Sequence, residues 1–173
     1  VLESLLSNLP NRSTLTRAEQ IEVIHSRCLE IGQPWIIDKL NLQMVKLAFH
    51  EQRAISIFRE SLPRLGLLML DEPTAGMDEQ PAALICQLIK QVAMRQPVLM
   101  VSHNLKQARL LADQVVLIAS GHVQELGSVN EFYEHPVSES ARIYLRTGSC
   151  PELSENELDE QDEQREPLVV SLP

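Results

Sequence analysis

Two short runs of apolar residues each lead directly into residues with reactive side chains. Residues 67–70 are all apolar and run into Asp71 and Glu72, and residues 98–101 run into a serine followed by His103. A short, wholly apolar segment bounded by turn residues is typical of a strand buried in a parallel sheet. We therefore predict two buried parallel strands, whose carboxyl ends lie at the edge where open α/β sheets bind ligands.

The rest of the chain predicts helices and further strands around this pair. Residues 1–46 have the pattern of an all-helical segment, with a capping box at Thr16 and Glu19, and another helix is predicted over 50–61. Beyond it, strands and helices alternate, which is the pattern that builds a parallel sheet and an α/β fold. The predicted order is strand 66–70, helix 79–95, strand 98–101, helix 104–112, strand 115–118, a hairpin from Gly121 into 122–126, and helices 129–134 and 138–147.

The polar groups at this sheet edge suit metal-assisted phosphoryl transfer. Asp71 would hold Mg²⁺, because one well-placed aspartate together with retained water satisfies that ion. Glu72 could accept a proton from, or orient, an attacking water, and His103 could donate a hydrogen bond to a phosphate. Each group taken alone has a simpler interpretation, a solvated strand end or an ordinary loop. The joint pattern of both strand ends and the helix-length spacer between them favours the catalytic interpretation.

The same segments resemble the C-terminal half of an ATP-binding cassette (ABC) ATPase. The similar segments are the Walker B strand with its catalytic glutamate (67–73), the D-loop (74–78), the strand with the switch histidine (98–103), the next strand (113–118) and its hairpin (121–127). The resemblance covers about residues 51–146. Over residues 107–145 the chain is most similar to the phosphate- and tungstate-type importer ATPases.

This resemblance implies a partial P-loop NTPase fold, with a parallel sheet core, a helical subdomain and a C-terminal hairpin. A partial ABC ATPase domain would cover residues 1–148, and an acidic disordered tail would cover 149–173. Within the domain, residues 1–62 would form the helical subdomain and signature helix, and residues 63–148 would form the remainder.

The resemblance also implies ligands, partners and residue roles. ATP and Mg²⁺ would bind, a second ATPase subunit would complete a head-to-tail dimer, and transmembrane permease subunits would hold the protein at the cytoplasmic, inner face of the cell membrane. The residues expected in the site are Glu72 (general base), His103 (γ-phosphate contact), Asp71 (magnesium ligand), Asp78 (cross-dimer contact), and Gln52 and Arg53 (support of the signature helix).

Two parts of the family pattern are altered. The phosphate-binding loop, Gly-x-x-x-x-Gly-Lys-Ser/Thr, has no match, because no pair of the six glycines has the spacing that precedes its lysine. The expectation is a fragment that lacks its N-terminal half, or else a truncated protein. The signature segment is also altered: residues 47–53 lack both glycines and the serine that normally approach the γ-phosphate. The simpler interpretation makes Phe49 a buried aromatic and His50 a helix-start residue.

Composition narrows the function classes further. Aromatic residues make up 3% of the chain, and outside residues 151–166 the charge is nearly balanced, so a nucleic-acid partner is not expected. No apolar stretch approaches the ~20 residues that span a bilayer. The three cysteines are far apart, which fits a reducing compartment without disulfides. Most of the net charge of −9 comes from the acidic tail, which is expected to be solvating rather than regulatory.

The function predicted from the sequence is ATP binding and hydrolysis in an ABC importer of a small solute, such as an oxyanion of the phosphate or tungstate type. The altered signature favours an alternative, a non-hydrolysing ABC-fold remnant or a regulatory binding module. A third possibility, an ABC ATPase of DNA repair or translation, is disfavoured, since neither a basic surface nor a long coiled-coil insertion is visible.

Overall fold

The computed structural model describes residues 1–63 and 65–150, and they fall into two compact units. Unit 1 is Val1–Gln107, and unit 2 begins at Ala108. The predicted acidic tail lies outside the described residues, apart from Ser149 and Cys150. None of the helices in the described ranges is long and apolar enough to cross a membrane.

Unit 1 begins with four helices packed around one apolar core. They are α1 (Leu2–Leu6), α2 (Arg17–Glu30), α3 (Trp35–Lys39) and α4 (Phe49–Ser61), with 3₁₀ turns at Arg12–Thr14 and Met44–Lys46. The predicted capping box is confirmed: the Thr16 hydroxyl accepts from the Glu19 N–H, and the Glu19 carboxylate accepts from the Thr16 N–H. The core includes the fully buried side chains Leu5, Ile24, Cys28, Ile36, Ile55 and Phe58.

The predicted parallel pair of strands is confirmed. β1 (Leu68–Asp71) and β2 (Val98–Val101) run parallel, with Leu68 opposite Val98 and Asp71 opposite Val101. α5 (Glu79–Ala93) connects them, and its buried face includes Ile85, Leu88 and Val92.

The prediction that both strands are wholly buried is wrong. Because side chains alternate along a strand, one face of this sheet holds Leu68, Leu70, Val98 and Met100, which pack on the core. On the other face Met69 is 67% exposed and Val101 is 55% exposed. The apolar run therefore indicated a strand correctly but not its burial on both sides.

Unit 2 is built around an antiparallel hairpin. β3 (Gln114–Ala119) pairs with β4 (His122–Ser128) through a two-residue turn, in which Ser120 and Gly121 both have positive φ, as in a type I′ turn. Two helices follow, α7 (Val129–Glu134) and α8 (Glu139–Thr147). The core is a small cluster around Leu117, Phe132 and Ala141.

The boundary between the units falls inside helix α6 (Leu105–Leu111). The prediction that strand 115–118 continues the parallel sheet is wrong for the described chain. There, β3 is hydrogen-bonded to β4 alone, in a separate two-stranded sheet. The local hairpin turn satisfies the backbone of β3 without a parallel neighbour, and nothing in the alternating pattern of the sequence distinguishes the two pairings.

Candidate active site at the carboxyl edge of the parallel sheet

Glu72 follows the last residue of β1 and has an uncommon backbone conformation. Its φ is +41°, in the left-handed region that side chains with a Cβ rarely adopt. The Glu72 N–H still donates to the Val101 carbonyl at 2.9 Å, which extends the pairing of the strands by one residue. The Glu72 carbonyl then accepts from the Ala75 N–H at 3.1 Å. A tight turn between these two bonds fixes the point from which the carboxylate projects.

The structure brings Glu72 and His103 into direct contact. The His103 backbone N–H donates to Glu72 Oε1 at 2.8 Å, and His103 Nδ1 lies 2.7 Å from the same oxygen. Since an ionised carboxylate only accepts hydrogen bonds, this second contact requires the proton on Nδ1. The ring is largely open to solvent, with its side chain 81% exposed. The predicted proximity of the two strand ends is therefore present in atomic detail.

This arrangement divides the two oxygens of Glu72 between two tasks. Oε1 carries both contacts with His103, so Oε2 is the oxygen with acceptor capacity left for a water. A carboxylate with one oxygen fixed and one open can orient and deprotonate a nearby nucleophile. The same contact assigns Nε2 of His103, rather than Nδ1, as the ring atom for a further partner.

A second contact joins the same two loops, and it was not singled out from the sequence. The Thr74 hydroxyl donates to Gln107 Oε1 at 2.5 Å, and Thr74 is only 7% exposed. The Gln107 N–H in turn donates to Asn104 Oδ1 at 3.1 Å, which caps the start of α6. A sequence signal for part of this exists, because asparagine followed three residues later by glutamine is a helix-start pattern.

Asp71 and Arg53 lie on the wall of one cavity. The cavity has a volume of about 200 Å³ and is lined by residues of α4 and β1, together with Pro73. The Arg53 guanidinium also lies 5.6 Å from the centre of the Phe49 ring. The predicted magnesium ligand and the predicted signature-helix arginine therefore border the same space.

Gln52 and Asp78 have other surroundings. The Gln52 side chain donates to the Leu47 carbonyl at 2.9 Å and so ties α4 to the segment before it. Asp78 is exposed at the residue before α5, and its side chain makes no capping hydrogen bond to that helix. Within the described part of the chain neither side chain forms a hydrogen bond or ion pair with Glu72 or His103, and their predicted roles stay predictions.

The altered signature segment forms the start of α4. Ala48 precedes the helix, and its backbone N–H donates to the Glu51 carboxylate at 2.9 Å. This backbone hydrogen bond is the main cause that lowers the pKa of Glu51, against an opposing effect of burial. Phe49 is 55% exposed, so its interpretation as a buried aromatic is wrong. An aromatic side chain therefore projects from the first turn of this helix.

Asp71 fits Mg²⁺ only as one ligand among several. In residues 1–63 and 65–150, no group of three or more His, Cys, Asp or Glu side chains could hold a metal ion. Magnesium is commonly bound by one or two carboxylates, with water and phosphate oxygens completing its octahedron. The exposed Asp71 carboxylate at the end of β1 meets the protein's part of that requirement.

The chain is similar in sequence to ATP-binding subunits of importers. It is 32% identical over 108 residues to the phosphate import ATP-binding protein PstB of Campylobacter jejuni, a match covering 62% of this chain and 44% of that protein. It is also 32% identical over 97 residues to the "Probable amino-acid import ATP-binding protein YxeO" of Bacillus subtilis, covering 56% and 39%. This chain is similar to part of an ABC importer ATPase.

A solved ABC transporter structure contains a fold similar to that of this chain. An inward-facing transporter described as of the metal-chelate ABC type superposes with a TM-score of 0.64, over 83% of this chain and 56% of that one. At 16% identity this likeness shows the ABC ATPase fold and nothing finer. No family model matches the chain. The chain spans about half the length of the curated relatives it matches.

Proposed function

We propose that this chain is the C-terminal part of the ATP-binding subunit of an ABC importer, and that it supplies the groups that activate the attacking water. The observation that carries this proposal is the contact of Glu72 with His103 at the carboxyl edge of a parallel sheet. The pair combines an acceptor for a water proton with a histidine that can donate to phosphate. The similarity to importer ATP-binding subunits supports the same conclusion.

Each residue has a proposed task. Glu72 takes the proton of the water at Oε2. His103 donates to the γ-phosphate through Nε2, which requires a proton on both ring nitrogens because Nδ1 already donates to Glu72. Asp71 holds Mg²⁺, which when bound neutralises charge on the phosphate oxygens. Asp78 lies exposed before α5, where a second subunit can reach it in a head-to-tail dimer. Gln52 and Arg53 hold the start of α4 through Leu47 and the Phe49 ring.

The proposed setting is a membrane transporter. The partial ABC ATPase domain covers residues 1–148 and works with transmembrane permease subunits at the inner face of the cell membrane. The proposed solute is a small oxyanion of the phosphate or tungstate type. Phosphate import ATP-binding proteins of Campylobacter jejuni, Saccharolobus solfataricus and Mycobacterium tuberculosis are among the relatives and support this choice. The relative named for amino-acid import supports only the broader class of importers.

The test uses the Glu72→Gln variant in a subunit that contains this chain together with a P-loop. The change removes the basic oxygen but keeps the size of the side chain, so ATP binding should persist while hydrolysis slows ~10²-fold or more. Glu79→Gln is the matched control, since Glu79 is an exposed acid in the first turn of α5 with no proposed role. Equal turnover in the Glu72→Gln variant and the unmodified subunit would remove Glu72 from the role of base.

The second candidate is a non-hydrolysing binding module, and the signature segment favours it. The exposed Phe49 side chain occupies a position where the family pattern has no side chain at all. The same assay separates the candidates. Binding of ATP without turnover in the unmodified subunit would support the module, and turnover abolished by Glu72→Gln would support the enzyme.

A further inference from the structure

The contact of Thr74 with Gln107 spans the same two loops as the contact of Glu72 with His103. Thr74 lies two residues after Glu72, and Gln107 lies four residues after His103. The two hydrogen-bonded pairs therefore close a ring between the turn after β1 and the start of α6. A ring of this kind fixes the separation of the loops more firmly than either contact alone.

The Thr74 contact has the properties of a positioning element. Thr74 is buried, its hydroxyl is 2.5 Å from Gln107 Oε1, and its carbonyl accepts from the Met77 N–H at 3.2 Å. Gln107, which supplies the acceptor, is itself held in place because its backbone N–H donates to Asn104 Oδ1. Both ends of the hydrogen bond are thus anchored by backbone contacts, one in the turn after β1 and the other at the start of α6.

Glu72 has the greatest need for such an anchor. Its left-handed φ of +41° is unfavourable for a residue with a side chain, and such conformations persist only where surrounding contacts impose them. His103 is mostly exposed and cannot impose it by packing. Thr74, two residues further on and buried, is the nearest polar side chain in the turn with a partner outside that turn.

We propose that Thr74 and Gln107 form a positioning pair that holds the Glu72 carboxylate against His103. Neither residue touches the reacting groups; they act through the turn and through the start of α6. The consequence for catalysis rests on the proposed function, whereas the mechanical part, the support of the Glu72–His103 contact, holds without nucleotide. The experiment therefore uses the 173-residue chain alone.

The test compares Thr74→Val, which removes the hydroxyl at nearly constant shape, with Thr74→Ser, which keeps it. Two quantities are measured by nuclear magnetic resonance. One is the hydrogen-exchange rate of the His103 amide, and the other is the three-bond coupling between the amide and α protons of Glu72, which reports φ. In Thr74→Val the His103 amide should exchange about three- to tenfold faster, the effect of one lost hydrogen bond. Thr74→Ser should restore most of the protection.

Two controls separate positioning from general stability. Thr14→Val removes a hydroxyl that bonds to Asn11 at 2.9 Å, far along the chain from this site, and should leave the His103 amide unchanged. Amides of the α5 core report global opening, and their exchange should change less than that of His103 in Thr74→Val. The double variant Thr74→Val with Gln107→Met should exchange no faster than either single variant, because both remove one contact.

The proposal is overturned if Thr74→Val and Thr74→Ser behave alike, if the two single effects add, or if core amides change as much as His103. An intact Thr74 effect combined with absent ATP hydrolysis in a P-loop-containing subunit would refute the proposed function and leave the positioning pair standing.

Discussion

The backbone of Glu72 makes a prediction whose sign is opposite to the usual effect of glycine. Glu72→Gly and Glu72→Ala both remove the carboxylate and its two contacts with His103, so their difference isolates the backbone at φ +41°. A Cβ in the left-handed region costs about 1–2 kcal/mol. The greater freedom of glycine in the unfolded chain acts in the opposite direction and destabilises the glycine variant by roughly 0.4–1 kcal/mol. The glycine variant should therefore be more stable by about 1 kcal/mol.

Glu22, an exposed residue inside α2, provides the matched control. At that helical position glycine should be less stable than alanine by about 1 kcal/mol. Urea unfolding followed by the fluorescence of Trp35, which belongs to unit 1, measures both pairs. With m near 2 kcal/mol/M, each difference should move the midpoint by about 0.5 M in opposite directions. If Glu72→Ala is as stable as Glu72→Gly, the backbone strain assigned to this residue does not exist.

Three further predictions address nucleotide binding, the signature and acid sensitivity. The 173-residue chain alone should bind ATP more weakly than micromolar at millimolar Mg²⁺, because its sequence has no phosphate-binding loop; titration with labelled ATP checks this, and micromolar affinity would refute it. In a P-loop-containing subunit, replacing residues 48–50 by Ser-Gly-Gly should raise homodimer hydrolysis at least tenfold, since one charge-assisted donor contributes about 1.5–3 kcal/mol; steady-state turnover without a gain would mean that this segment does not meet nucleotide. In unit 2, burial opposes ionisation of Glu125, but hydrogen bonds from Ser138 and Val137 outweigh it and lower the pKa of Glu125 below its usual 4.5. The stabilisation by ionised Glu125 is fully present above pH 4.5 and is lost as the pH falls through the lowered pKa. In Glu125→Gln the resistance of unit 2 to urea should therefore fall less steeply below pH 4.5, and an unchanged pH profile would contradict this prediction.

The elements predicted best are those with local signals at their ends. β2 and α7 have the predicted bounds, and α7 begins at a capping box formed by Ser128 and Glu131. Such signals act over three or four residues, so they can be read from one sequence. The exposed face of Met69, and whether β3 has a parallel neighbour besides β4, depend instead on elements distant in sequence. Periodicity alone cannot specify those neighbours.

The candidate site also has a part that could be predicted from the sequence and a part that could not. The proximity of Glu72 and His103 could be predicted, because parallel strands place both carboxyl ends at one edge. The partnership of Thr74 with Gln107 could not, since 33 residues separate them and neither type is unusual in a loop. The conformation of Glu72 was equally inaccessible, because a glutamate carries no preference for positive φ. The catalytic, magnesium and cross-dimer roles stay predictions.

The double contact at Glu72 Oε1 determines what an amide would do in its place. The His103 backbone N–H can only donate, so a glutamine at position 72 must present its carbonyl oxygen there. Its NH₂ group is then forced into the position of Oε2. An acceptor for water is thereby exchanged for a pair of donors, and rotation of the amide cannot undo the exchange without breaking the bond to His103. The substitution reverses the hydrogen-bond polarity of the site instead of merely weakening a base.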